Sequence, residues 1–186
     1  MPQILTVPAL AEPLPLALVK SHLRLTHDDE DETLTRLMAA ARRVVESRTG
    51  LSLVAEGWSL FLDRWPPDGV VPLPRYPVIA VSRVLVHGEE AAAEIDPAHY
   101  WLDRASRPCR LVMRAGRALP PPGRAVNGID IAFTAGFGET AAEVPADLTE
   151  AMLLMIGQWY AHRGDEDFAP SLQAAAILHQ FREVRL

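Results

Sequence analysis

Six histidines, one cysteine and one dense run of carboxylates are the groups in this 186-residue chain with the most capacity for chemistry. The histidines are His22, His27, His87, His99, His162 and His179. No two stand four apart on one helix beside a glutamate, so the spacing that holds a zinc ion next to a general base is missing. Cys109 stands alone and can neither close a disulfide within the chain nor build a thiolate metal site; it reads as a small buried hydrophobe. Asp28, Asp29, Glu30, Asp31 and Glu32 could attract a cation, but the central glycine of a calcium loop is absent. They read better as the acidic start of a helix, where negative charge faces the positive end of the helix dipole and Thr26 or Asp28 caps the free amides. No serine sits in a nucleophile elbow. Gly136-Phe137-Gly138 lacks the third glycine and the lysine of a nucleotide loop, and no parallel βαβ unit surrounds it. Trp58, Trp65, Trp101 and Trp159 are dispersed, with no basic residues interleaved to read bases. No catalytic, cofactor-binding or metal-ligating residue is assigned, and a scaffold or interaction protein is the class these residues favour.

Charge points the same way. The net charge is −6, and residues 128–186 carry all of it, with 3 basic against 9 acidic side chains. A general nucleic-acid binder needs clustered cations to neutralise phosphates, and the overall balance argues against one. The local exception is Arg104, Arg107, Arg110, Arg114, Arg117 and Arg124, a stretch without a single carboxylate. It reads either as a solvated loop face or as a docking surface for an acidic patch, such as the acidic end of a neighbouring copy. The longest apolar run is far too short to span a bilayer. The first residues lack a basic cluster before their apolar part, so no signal peptide is read and a cytoplasmic protein is expected.

The elements that must position these groups follow from periodicity. Residues 1–13, with Pro2, Pro8 and Pro13, read as an extended arm. A short helix over 15–25 carries Leu16, Val19 and Leu23 on one stripe. A second helix over 28–49 presents Leu34, Leu37, Met38, Ala41, Val44 and Val45 and stops at Gly50. From 51 to 135 the period changes to that of strands, at 53–63, 70–73, 78–87, 100–103, 110–113 and 128–135. Gly136 and Gly138 then permit a turn with positive φ. A helix over 145–163 follows Pro145, with Leu148, Met152, Met155, Ile156 and Trp159 on one stripe and Leu153, Leu154 and Tyr160 on a second. A helix apolar on two sides is buried on two sides. Residues 164–186 hold Asp165, Glu166, Asp167 and Phe168, then a short helix with Leu172, Ala176, Ile177 and Phe181 apolar, which could fold back or reach for a partner. The expected class is α+β: a helical core of two N-terminal and two C-terminal helices with an inserted, mostly antiparallel small β module.

Taken as a set, three segments resemble the head–tail connector (adaptor) proteins of long-tailed bacteriophages and phage-like gene transfer agents. They are LALVKSHLRL running through the acidic DDEDE to ESRTGLSL, then WSLFLDRWP with LPRYPVIAVSRV, and last TAGFG with VPADLTEAMLLMIGQWYAHR. The resemblance covers roughly residues 14–163, which would form the connector domain. It implies a structural protein without enzymatic activity or cofactor, forming a ring, twelve-fold in the particle, beneath the portal. The ring would extend the DNA channel without sequence-specific binding and offer a platform to a stopper or tail-completion protein. Residues 164–186 would engage the portal. Interface residues are then expected among Arg104, Arg107, Arg110, Arg114, Arg117, Trp159, Tyr160, Asp165, Glu166, Asp167, Phe168, Leu172, Ile177 and Phe181. The rivals are another neck or tail-completion protein, a small cytoplasmic enzyme with a dispersed site, and a DNA-binding module. Two long helices speak against the first, and the motif search against the second.

Overall fold

The computed structural model describes residues 1–114, 116, 119–162 and 169–182. The chain divides into two compact units, Met1–Ala9 with Ala55–Gly136, and Leu10–Val54 with Phe137–Leu186. The first is all β and the second helical, so the α+β class expected from periodicity is the class observed.

The β unit holds two antiparallel sheets. One has five strands, β1 (Gln3–Val7), β2 (Glu56–Leu62), β4 (Val78–His87), β5 (Ala92–Glu94) and β8 (Ile129–Ala135), in the order β1-β2-β8-β4-β5. The other has three, β3 (Val70–Pro72), β6 (Tyr100–Asp103) and β7 (Arg110–Met113), in the order β3-β7-β6. Alternation decides the faces. Ile129, Ile131 and Phe133 of β8 lie opposite Leu62, Leu60 and Trp58 of β2, and these join Leu111, Met113, Tyr100 and Cys109 in one buried cluster. Cys109 is fully buried there, as its solitary place in the sequence suggested.

The N-terminal arm is extended as expected, but it is tied down within the chain. β1 pairs antiparallel with β2, and the Phe61 N–H donates to the Pro2 carbonyl at 3.0 Å. Gly57 makes room for it: a Cβ there would lie 2.9 Å from the Val7 Cβ. β5 is too short and too exposed to leave a signal in the sequence.

The helical unit contains α1 (Leu16–Leu23), α2 (Asp31–Thr49), α3 (Ala146–Ala161) and α4 (Leu172–Gln180). α1 stops short of residue 25 because Arg24 adopts a left-handed φ of 58° and the Leu25 N–H closes back on the Lys20 carbonyl. α2 starts three residues later than its acidic run suggested, and neither Thr26 nor Asp28 caps it. Lys20 explains this. Its Nζ donates to carboxylates of both Asp28 and Asp31, and these neighbours raise its pKa. α2 then buries Leu34, Met38, Ala41 and Val45 at helical spacing, with Leu37 and Val44 half-buried, and ends at Gly50 with φ 74°.

Leu51, Ser52, Leu53 and Val54 were expected to open the β module, yet they are buried with the helices. Glu46, itself buried near the end of α2, accepts the Leu53 N–H at 3.1 Å. α3 packs against α1, α2 and α4. Its buried residues are Leu148, Ala151, Met152, Leu153, Met155, Ile156 and Trp159; the first stripe is buried throughout, while of the second only Leu153 is, with Leu154 and Tyr160 half-buried. Of the two glycines before it, only Gly136 has positive φ (150°). Gly138 is needed for space instead: a Cβ there would sit 2.0 Å from the Glu143 carboxyl carbon, which is held by the Thr140 N–H and hydroxyl.

Candidate functional site

Among the described residues no group of three or more His, Cys, Asp and Glu could hold a metal ion, and no helix is long and apolar enough to cross a membrane. The helical unit has a surface cavity of about 420 Å³ lined by Ser47, Arg48, Ala175, Leu178, His179 and Arg182. It pairs a serine with a histidine, but the Ser47 hydroxyl donates to the Val44 carbonyl of its own helix at 3.0 Å. Arg48 and Arg182 make the lining of this cavity basic.

The arginine run forms around the three-stranded sheet. Arg104, Arg107, Arg110 and Arg114 are all exposed, while Arg117 lies outside the described residues. They are less free than their spacing implied. The Arg107 guanidinium stacks over Tyr76 at 4.6 Å, and that of Arg114 over Trp101 at 4.6 Å. Arg110 donates to Asp103 through Nη2 at 2.6 Å and Nε at 3.0 Å. Arg124 donates to the Asn127 carbonyl. Trp101 is one of four tryptophans dispersed along the sequence. It is 56% exposed, whereas Tyr100 beside it is buried. Alternation along β6 was the available signal, since neighbouring residues of a strand face opposite ways.

Asp103 organises the turn after β6. The Ser106 hydroxyl, Arg110, the Ser106 N–H and the Ala105 N–H all donate to its carboxylate, and together they hold its pKa well below the usual carboxylate range. A depressed acid stabilises the fold fully above the unfolded value of about 4 and stops doing so as pH falls towards the folded value. Asp103→Asn is therefore expected to lower stability by a constant amount above about pH 5, with the gap to wild type closing in more acid solution. Urea unfolding at a series of pH values checks this; a gap that persists unchanged at pH 2 would contradict it.

The remaining expected interface residues divide. Trp159 is 7% exposed and lies on the buried stripe of α3. Tyr160 is half-buried. Asp165, Glu166, Asp167 and Phe168 lie outside the described residues. On α4 the buried residues are Ala174 and Leu178, while Leu172 and Ala176 are exposed. Ile177 and Phe181 flank it half-buried, and Leu172 is 91% exposed.

The family described as Phage gp6-like head-tail connector protein matches residues 15–101. Over those residues the chain resembles the head–tail connector family. Three solved structures resemble this chain over 100% of its length and 97% of theirs. The neck of an empty gene transfer agent particle, computed with C6 symmetry, matches at 28% identity and TM-score 0.85. The virion of a native gene transfer agent particle matches at 28% and 0.82, and the neck of the native particle computed with C12 symmetry at 26% and 0.80. No curated protein matches the chain. The role this assigns is structural, a connector between head and tail.

Proposed function

We propose that this connector assembles with copies of itself into a ring in the neck of a phage-like particle, beneath the portal, where it extends the DNA channel and receives a stopper or tail-completion protein. The observation that carries this reading is the full-length likeness, at 28% identity, to a chain from a gene transfer agent neck. The protein is made in the cytoplasm and incorporated into the particle; it uses no cofactor and performs no catalysis. Double-stranded DNA passes without sequence-specific contact. An acidic balance suits that task, because a wall that repels phosphate does not retain it. The segment 164–186 engages the portal, with Leu172 as its exposed apolar contact. Arg104, Arg107, Arg110 and Arg114 meet acidic side chains across the ring. Electron microscopy of particles from the producing cell tests the reading: a ring below the portal is expected, and particles without the protein should lose their tails. Tailed particles assembling normally in its absence would overturn it.

A further inference from the structure

Among the described residues, β1 and the first half of β4 each lack a partner on their outer side, and the two edges differ. One is β1. Four of its five residues are exposed, including Ile4 (55%), Leu5 (37%) and Val7 (56%). The first eleven residues carry no charged side chain, so the strand lacks the lysine or glutamate that usually blunts an edge, while Pro2 and Pro8 bound it at both ends. The Pro2 carbonyl faces β2, where the Phe61 N–H meets it. Backbone groups alternate sides along a strand, so those of Gln3 and Leu5 point away from β2, and nothing among the described residues pairs with them. The other edge is the first half of β4. β5 covers only Leu85–His87, and the Ile95 N–H reaches the Val84 carbonyl. Among the described residues, 79–83 therefore pair with β8 on one side alone, and the ladder with β8 shifts register there, between Val78 and Ala80 and between Val81 and Arg83. That open stretch is as long as β1.

Strand polarity decides what fits between these edges. β1, β2, β8 and β4 alternate in direction, each antiparallel to the next. With an even number of alternating strands, β1 and the outer strand β4 run in opposite directions. A second copy placed head-to-tail beside the first therefore sets its own β1 antiparallel to that open edge. Two different surfaces on one subunit are what a closed cyclic ring requires, and adding a strand to a sheet edge supplies affinity through main-chain hydrogen bonds.

We infer that β1 of each copy pairs with residues 79–83 of β4 in the next, joining the five-stranded sheets of adjacent subunits. The inference rests on the ring reading above, and its test separates the two. The only native cysteine, Cys109, is fully buried, so introduced thiols report without background. Adjacent strands bring Cα atoms within disulfide range. In purified particles, Leu5→Cys combined with Ala80→Cys or with Ser82→Cys should oxidise to a ladder of covalent multimers, while each single variant stays monomeric on a denaturing gel. Leu5→Pro removes an outward N–H without touching the β1–β2 ladder. It should leave the thermal midpoint within a few degrees of wild type and yet abolish ring formation. Rings that are intact by microscopy but give only monomers from both double variants would overturn the inference alone. Particles that contain no ring of this chain would overturn the ring reading and the inference with it.

Discussion

Met152→Asp should leave the helical unit unable to fold, with loss of the helical circular-dichroism signal and of soluble protein. Met152 has no exposed surface, and its neighbours on α3, Leu148, Ala151, Met155 and Ile156, are equally buried and apolar. A carboxylate at that position would be buried beside these apolar side chains. The penalty for an unpaired buried charge is several kcal/mol, and protonating the acid to escape it still leaves a polar group in an apolar core. A typical domain has only about 5–15 kcal/mol to lose. Met152→Leu conserves volume and is expected to cost less than about 1.5 kcal/mol, so the pair separates the effect of charge from that of shape. A soluble Met152→Asp protein with a cooperative unfolding transition would show that α3 is not the centre of its unit.

How much of this was legible depends on whether the deciding interaction is local. α2 could be read because its contacts repeat every three to four residues: Leu34, Met38, Ala41 and Val45 are buried as the stripe requires. The strands β4, β6 and β7 likewise begin and end where periodicity put them. Long-range pairing was not legible. Nothing local to Gln3–Val7 announces that β2, fifty or more residues away along the chain, will accept it as an edge strand. Nor could the sequence say that Glu46 would reach forward to the Leu53 N–H and hold residues 51–54 with the helices. At the candidate site the arginines were visible as a run, but their stacking on Tyr76 and Trp101 was not, because the rings come from other strands and turns. α4 is intermediate. Its existence followed from composition, but a nine-residue helix with apolar side chains on several sides does not declare which face turns inward.

That last ambiguity leads to a paired result on α4. Leu178→Ala is expected to destabilise the helical unit by about 2–5 kcal/mol, the usual cost of emptying a fully packed leucine site. Leu178 is 2% exposed, and α4 packs against both α3 and α2. Leu172→Lys should leave the thermal midpoint nearly unchanged, since Leu172 is 91% exposed and loses almost no buried contact. If the segment 164–186 engages the portal as proposed, Leu172→Lys should nevertheless reduce the fraction of particles that carry this protein, because an exposed apolar anchor would become a charge facing a partner. Calorimetry of the free protein and gel quantification of purified particles read the two effects separately. Deleting the whole segment cannot distinguish them, because it removes Ala174 and Leu178 from the core together with Leu172 from the surface. Wild-type incorporation of Leu172→Lys would assign α4 to folding alone and would move the portal contact elsewhere on the chain.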